Sequence, residues 1–202
     1  MVLRINSQNP QKRLINKVAE VLKEGGVIAY PTDTIYGFGC DIFNKKAIRR
    51  IYQIKKRQPS KPFSFICSDL KHISEYAQVT NYAYKTMRRL LPGPYTFILP
   101  GSKLVPKIML TKRKTVGIRV PQNNICLAIV QALGHPIIST SVGLSGQEVL
   151  SDPLQIEEKF GSQIELTIDG GSLINQPSSI ISLLDDRPEV IRVGQGDVSQ
   201  FL

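Results

Sequence analysis

Five short apolar runs, Val27–Tyr30, Phe63–Cys67, Tyr95–Leu99, Thr115–Val120 and Ile137–Thr140, alternate with segments of helical periodicity. Each run is too short to be a buried helix and lies close to Pro, Gly or small polar residues. Strands that are apolar on both faces need helices to cover them. The pattern therefore predicts an α/β (α+β) chain, a twisted mixed parallel/antiparallel sheet flanked by helices.

The helices are read from their ends. Asn9 and Pro10 form an N-cap and first-turn pair before Leu14, Val18 and Leu22, and Gly25-Gly26 closes that helix. Asn44 caps a second, with Ile48, Ile51 and Tyr52 on its buried face. Ser68 and Asp69 open a third, to about Ala77. Others are expected over 81–91, 124–134 and 153–160, the last but one ending at Gly134. Strands near 164–169, 179–184 and 189–193 follow closely enough to predict an antiparallel section. No repeat or linker divides the chain, which reads as a single domain over residues 1–202.

The charge is lopsided. Net charge is +10, but residues 42–147 hold 18 Lys and Arg against only Asp69 and Glu75, and residues 148–202 hold 3 against 10 acids. Such a field attracts polyanions, whether nucleotide phosphates or RNA. Cys40, Cys67 and Cys126 are far apart, and His72 and His135 are isolated, which argues against a zinc site or a disulfide framework. No apolar run approaches the roughly 20 residues of a membrane span, and Met1–Arg13 lacks the core of a secretory signal. A cytoplasmic protein is expected.

Several strands run into residues that bind anions or zwitterions. Val27–Tyr30 stops at Pro31 and is followed by Thr32-Asp33-Thr34, then Tyr36. Ligands of open sheets sit at such strand ends, although the same residues also build turns. Lys55-Lys56-Arg57 ends a helix, with Lys61 beyond Pro59; these side chains can clamp a triphosphate or simply complement the helix dipole. Arg119 lies inside the apolar strand Thr115–Val120, where burial calls for an anionic partner and an edge position does not. Ser139-Thr140-Ser141 leads into Gly143, Ser178-Ser179 precedes a strand, and Arg192 closes the next one.

Together these blocks resemble the YrdC family, whose best-known members are TsaC-type threonylcarbamoyl-AMP synthases. The resemblance rests on GGVIAYPTDTIYGFGCD, the KKR block, LLPGPYTFIL, VGIRVP, IISTSVGLSG and IRVGQGD, in the family's order from about Gly25 to Asp197. It implies a sheet built around a positively charged cavity and a nucleotidyltransferase reaction. L-threonine, bicarbonate and ATP, with Mg²⁺ accompanying the ATP, would give threonylcarbamoyl-AMP and pyrophosphate. Partner proteins would then transfer the threonylcarbamoyl group to a tRNA adenosine. Carried over by position, Thr32, Tyr36, Arg119 and Ser179 would serve threonine. Lys55, Arg57, Lys61, Thr115, Ser139, Ser141, Ser151 and Arg192 would serve the nucleotide. No covalent nucleophile and no protein metal ligand is implied. The usual synthase motif Ser-x-Asn reads here Ser141-Val142-Gly143, so Gly143 offers the nucleotide no carboxamide. That motif, with NPQKRLIN and GDVSQFL, resembles the YciO branch, whereas Lys55 and Arg57 match the synthases. Two other readings stand beside the first: a protein binding tRNA or double-stranded RNA without this chemistry, and a related transferase with another amine substrate.

Overall fold

The computed structural model describes residues 1–58 and 62–202. Among the described residues the chain forms ten strands and six α-helices. The strands are β1 (Val2–Arg4), β2 (Ile28–Tyr30), β3 (Gly37–Gly39), β4 (Ser64–Ile66), β5 (Tyr95–Pro100), β6 (Thr115–Arg119), β7 (Ile137–Ser141), β8 (Leu166–Asp169), β9 (Ser179–Ser182) and β10 (Glu189–Arg192). The helices are α1 (Lys12–Lys23), α2 (Lys45–Ile54), α3 (Leu70–Tyr76), α4 (Asn81–Leu90), α5 (Asn124–Leu133) and α6 (Pro153–Phe160).

Local chemistry sets most helix starts. The Asn44 side chain accepts from the Ala47 N–H at 3.0 Å, and Asp69 accepts from that of His72 at 2.7 Å. Asn123 caps α5 through the Cys126 N–H, and Asp152 caps α6 through Leu154 and Gln155. Gly134 ends α5 in the left-handed conformation, φ +87°. The first helix departs from expectation: it starts at Lys12, with Gln11 and not Asn9 at the cap position. The reason is a polar loop in which Asn6 Oδ1 accepts from the N–H groups of Gln8 and Asn9, holding Asn9 outside the helix.

All ten strands join one mixed sheet, in the order β1-β8-β2-β3-β7-β4-β6-β5-β9-β10. β1, β8 and β2 run parallel, and β2, β3, β7 and β4 alternate antiparallel. β4 with β6 and β5 with β9 are parallel pairs. Of the three C-terminal strands from whose spacing an antiparallel section is predicted, β9 and β10 form it, whereas β8 sits between β1 and β2 in parallel. β1 and β3 were not foreseen. Gly37 and Gly39 leave β3 almost without side chains, and a Cβ on Gly39 would meet the Tyr30 ring at 2.6 Å. That ring lies across the strand and donates from its hydroxyl to the Ile138 carbonyl at 2.9 Å.

Two apolar clusters hold the layers. Ile15, Val18 and Leu22 of α1 pack with Ile129 and Leu133 of α5 against Ile28 and Ile168. The larger cluster gathers Ile48 and Ile51 of α2, Ile73 of α3, Met87 of α4 and Phe160 of α6 around Phe38, Phe65 and Phe97. Each such side chain contributes roughly 1.5–3 kcal/mol on burial. Cys40, Cys67 and Cys126 are all buried free thiols of this interior. No described helix is long and apolar enough to cross a membrane.

Candidate functional site

A cavity of about 400 Å³ opens where β3, β4, β5, β6 and β7 and the approaches to β9 and β10 converge. That volume falls within the range of small-molecule sites. Three arginines line it, Arg57, Arg119 and Arg192, and no carboxylate does among the described residues. Hydroxyls supply much of the rest of its polarity, among them Thr32, Thr96, Thr115, Ser139, Ser141 and Ser178.

The loop between β2 and β3 carries Thr32. Its hydroxyl accepts from the N–H groups of Thr34 and Ile35 and donates to the Ile35 carbonyl at 2.6 Å. Thr32 thus builds a tight turn and also forms cavity wall. Tyr36 lines the same cavity, and its hydroxyl donates to the Gly171 carbonyl at 2.8 Å. Burial pushes that phenol up to about 12, so it stays a donor at neutral pH.

Arg119 closes β6 and is buried. Its Nη2 donates to Asp33 Oδ1 and to Thr34 Oγ1, both at 2.9 Å. The anion demanded by burial is therefore part of the chain. Its Nε is buried with no partner among the described residues. Arg57 likewise has an unpartnered Nε, and its guanidinium stacks on Phe63, 5.1 Å from the ring centroid. Arg192 donates from Nε and Nη2 to the Ser178 carbonyl at 3.0 and 2.7 Å. Burial first, and then the charge of Arg119, pulls the Arg192 guanidinium below its ordinary range. Two like charges share this hollow.

Some residues assigned from the sequence lie elsewhere. Lys55 does not line the cavity. It is buried, 2% exposed, and its ammonium donates to the carbonyls of Ser141 at 2.5 Å and Gly143 at 2.8 Å. Once buried, the ammonium needs acceptors in place of water, and these two carbonyls supply them, tying the end of α2 to the end of β7. Ser179 also points away: its hydroxyl donates to the Gly196 carbonyl at 2.6 Å and accepts from the Gly194 N–H. Neighbouring strand residues face opposite sides, so Ser178 and Ile180 form the wall instead. Ser151 is outside the lining; its carbonyl accepts from the Leu173 N–H. Lys61 lies outside the described residues. Thr96 and Asp33 were missed. Thr96 sits in an unremarkable apolar strand, while Asp33 was visible inside Thr32-Asp33-Thr34 but carried no signal of its partner 86 positions away.

Lys55 gives a prediction for pH. Burial, and then the charge of Arg57, lowers its ammonium from 10.5 to about 8. Between those values the unfolded chain holds a proton that the folded chain has released, so stability rises with pH through this window. Compared with Lys55→Met, the parent should gain on the order of 2–3 kcal/mol between about pH 8 and pH 10.5. Urea unfolding of both proteins across that range checks it, and parallel profiles would remove the assignment.

The fold and this cavity define a mixed-sheet protein with an arginine- and hydroxyl-lined hollow. The family model described as Sua5_yciO_yrdC, telomere recombination, matches residues 20–194, and the chain belongs to this Sua5/YciO/YrdC family. The uncharacterized protein YciO of Escherichia coli is 46% identical over 200 residues, 98% of this chain and 97% of the relative. A crystal structure of that protein superposes with a TM-score of 0.95, covering 100% of this chain and 99% of the other. A threonylcarbamoyl-AMP synthase of Vibrio vulnificus is 33% identical over 159 residues, 77% of this chain and 86% of the synthase. The crystal structure of Pyrococcus abyssi Sua5 complexed with L-threonine matches at 27% identity and a TM-score of 0.93, over 99% of this chain and 59% of that one.

Proposed function

We propose that this chain makes threonylcarbamoyl-AMP from L-threonine, bicarbonate and ATP. The observation that carries the reading is the convergence of Arg57, Arg119 and Arg192, from distant parts of the sequence, on one hydroxyl-lined cavity. Kinship with proteins named threonylcarbamoyl-AMP synthases, one of them solved with L-threonine, supports it.

In this reading the threonine carboxylate meets Arg119 where it lines the cavity, beside Thr32 and Tyr36. The neutral threonine amine adds to CO₂ with loss of a proton, or to bicarbonate with loss of water, and forms a carbamate. A carbamate oxygen then attacks the α-phosphorus of ATP, and pyrophosphate leaves with the electrons of the broken P–O bond. No side-chain nucleophile is required. The protein's part is to hold two anions together against their repulsion and to stabilise charge on the transferring phosphorus. Arg57 and Arg192 supply planar forks for phosphate oxygens, and Thr115, Ser139 and Ser141 supply small hydroxyl partners. Lys55 acts by fixing the carbonyl loop behind Ser141. Mg²⁺ would enter only as the companion of ATP, where it would help neutralise the phosphates; the described cavity wall offers it hydroxyls and no carboxylate.

The test is pyrophosphate release from ATP by the full chain. Release should require threonine and bicarbonate together. ATP turnover indifferent to threonine would overturn the proposal. No turnover, with RNA retention that falls steeply as salt rises, would instead select the RNA-binding reading drawn from the basic segment.

A further inference from the structure

Arg119 meets the cavity with its charge already balanced. The Asp33 carboxylate is 2.9 Å from its Nη2, with the two side chains 6% and 9% exposed. Asp33 is fixed in turn, because its Oδ2 accepts from the Gln122 N–H at 3.0 Å. Asp33 itself stays out of the cavity wall, behind the guanidinium it holds. Arg57 and Arg192 line the same hollow, and neither pairs with a carboxylate among the described residues.

Arg119 and Asp33 thus form a desolvated cation–carboxylate pair of zero net charge at the cavity. Arg57 and Arg192 line the same hollow without a carboxylate partner among the described residues, and Arg192 is near enough to feel the Arg119 charge. A bare arginine in place of the pair would capture any oxyanion, including the phosphates that the other two arginines attract. With the Asp33 carboxylate fixed on it, Arg119 still lines the cavity and can meet a carboxylate, but the pair opposes net negative charge and favours an ammonium on the same ligand. Burial keeps water from screening this effect.

We propose that Asp33 is a specificity-determining, positioning residue: it makes the cavity at Arg119 take a zwitterionic amino acid in preference to a simple carboxylate. The inference rests on the amino-acid-binding part of the function proposed above. It assigns Asp33 two tasks, both exerted through Arg119. One is to hold the guanidinium in place at the cavity wall, and the other is to cancel its net charge.

The experiment is calorimetric titration of the full chain with L-threonine and, separately, with 3-hydroxybutyrate, which has the same carbon skeleton without the amine. The parent should favour threonine by about tenfold or more. In Asp33→Asn that preference should shrink by about tenfold, and Asp33→Glu should recover part of it. The ratio of the two affinities is the readout, because partial unfolding lowers both together and leaves it unmoved. Parent protein that binds both ligands equally overturns the inference without any variant. An unchanged ratio in Asp33→Asn overturns it too, while leaving threonine binding by the parent intact. Parent protein that binds no threonine overturns the amino-acid reading and this inference with it.

Discussion

Arg119→Ala should unfold roughly 10 °C or more below the parent, a loss of about 3–5 kcal/mol. The cause is what remains behind. Without the guanidinium, Asp33 keeps a charge in a site only 9% exposed, with the Gln122 N–H as its remaining partner among those the structure shows. Thr34 loses its Arg119 donor at the same time. The double variant Arg119→Ala/Asp33→Asn should recover much of the loss, since it removes the stranded charge and retains a hydrogen-bonding carboxamide. Calorimetric melting of the parent and both variants decides the matter. If the double variant melts no higher than Arg119→Ala, the pair is not what holds the loop between β2 and β3. The same experiment bears on ligand studies: a threonine-binding defect in Arg119→Ala is interpretable only well below its melting point.

Gly143→Asn should also be costly, by about 2–3 kcal/mol. On the sequence alone this change restores the Ser-x-Asn spelling of the synthases and invites tighter nucleotide binding. The backbone opposes it. Gly143 sits at φ +144°, a conformation that L-residues rarely adopt, and a Cβ there would stand 2.8 Å from the Glu148 carbonyl oxygen. Relief requires the loop to shift, and the Gly143 carbonyl is one of the acceptors that bind the Lys55 ammonium. The variant should therefore lose stability and nucleotide affinity together, read as a lower urea midpoint and a weaker ATP titration. A variant as stable as the parent and tighter for ATP would show that glycine is merely a missing contact at this position. Retention of Gly143 gives the loop after β7 a backbone geometry of its own, which an asparagine cannot enter without rebuilding it.

What was legible in the sequence was local. Asn44 and Asp69 cap helices because a short side chain next to an N-terminus has few other partners, and Gly134 stops α5 because its backbone reaches positive φ cheaply. Apolar runs marked the strands of the middle of the sheet for the same reason. β3 escaped because a strand of Gly-Phe-Gly has no pattern; it exists through its pairing with β2 and β7 and through the Tyr30 ring laid over it. In the cavity, Arg57, Arg119, Ser139 and Arg192 could be picked out by residue type at strand and helix ends. Lys55 and Ser179 could not be placed that way. Which buried carbonyls capture an ammonium, and which face of a strand a serine takes, are decided by tertiary packing. Asp33 shows the same limit from the other side: its meaning comes from a residue contributed by another strand.

The cavity walls come from six or more separate stretches of chain, between Thr32 and Arg192. No hairpin, helix pair or N-terminal half contains the whole of them. Ligand competence therefore requires the whole sheet, and a truncated chain ending before β9 would lack Arg192 however well its remainder behaved. Retention of ligand by a shortened or permuted chain would accordingly report the topology of the whole sheet, a sensitive check on any redesign of this scaffold.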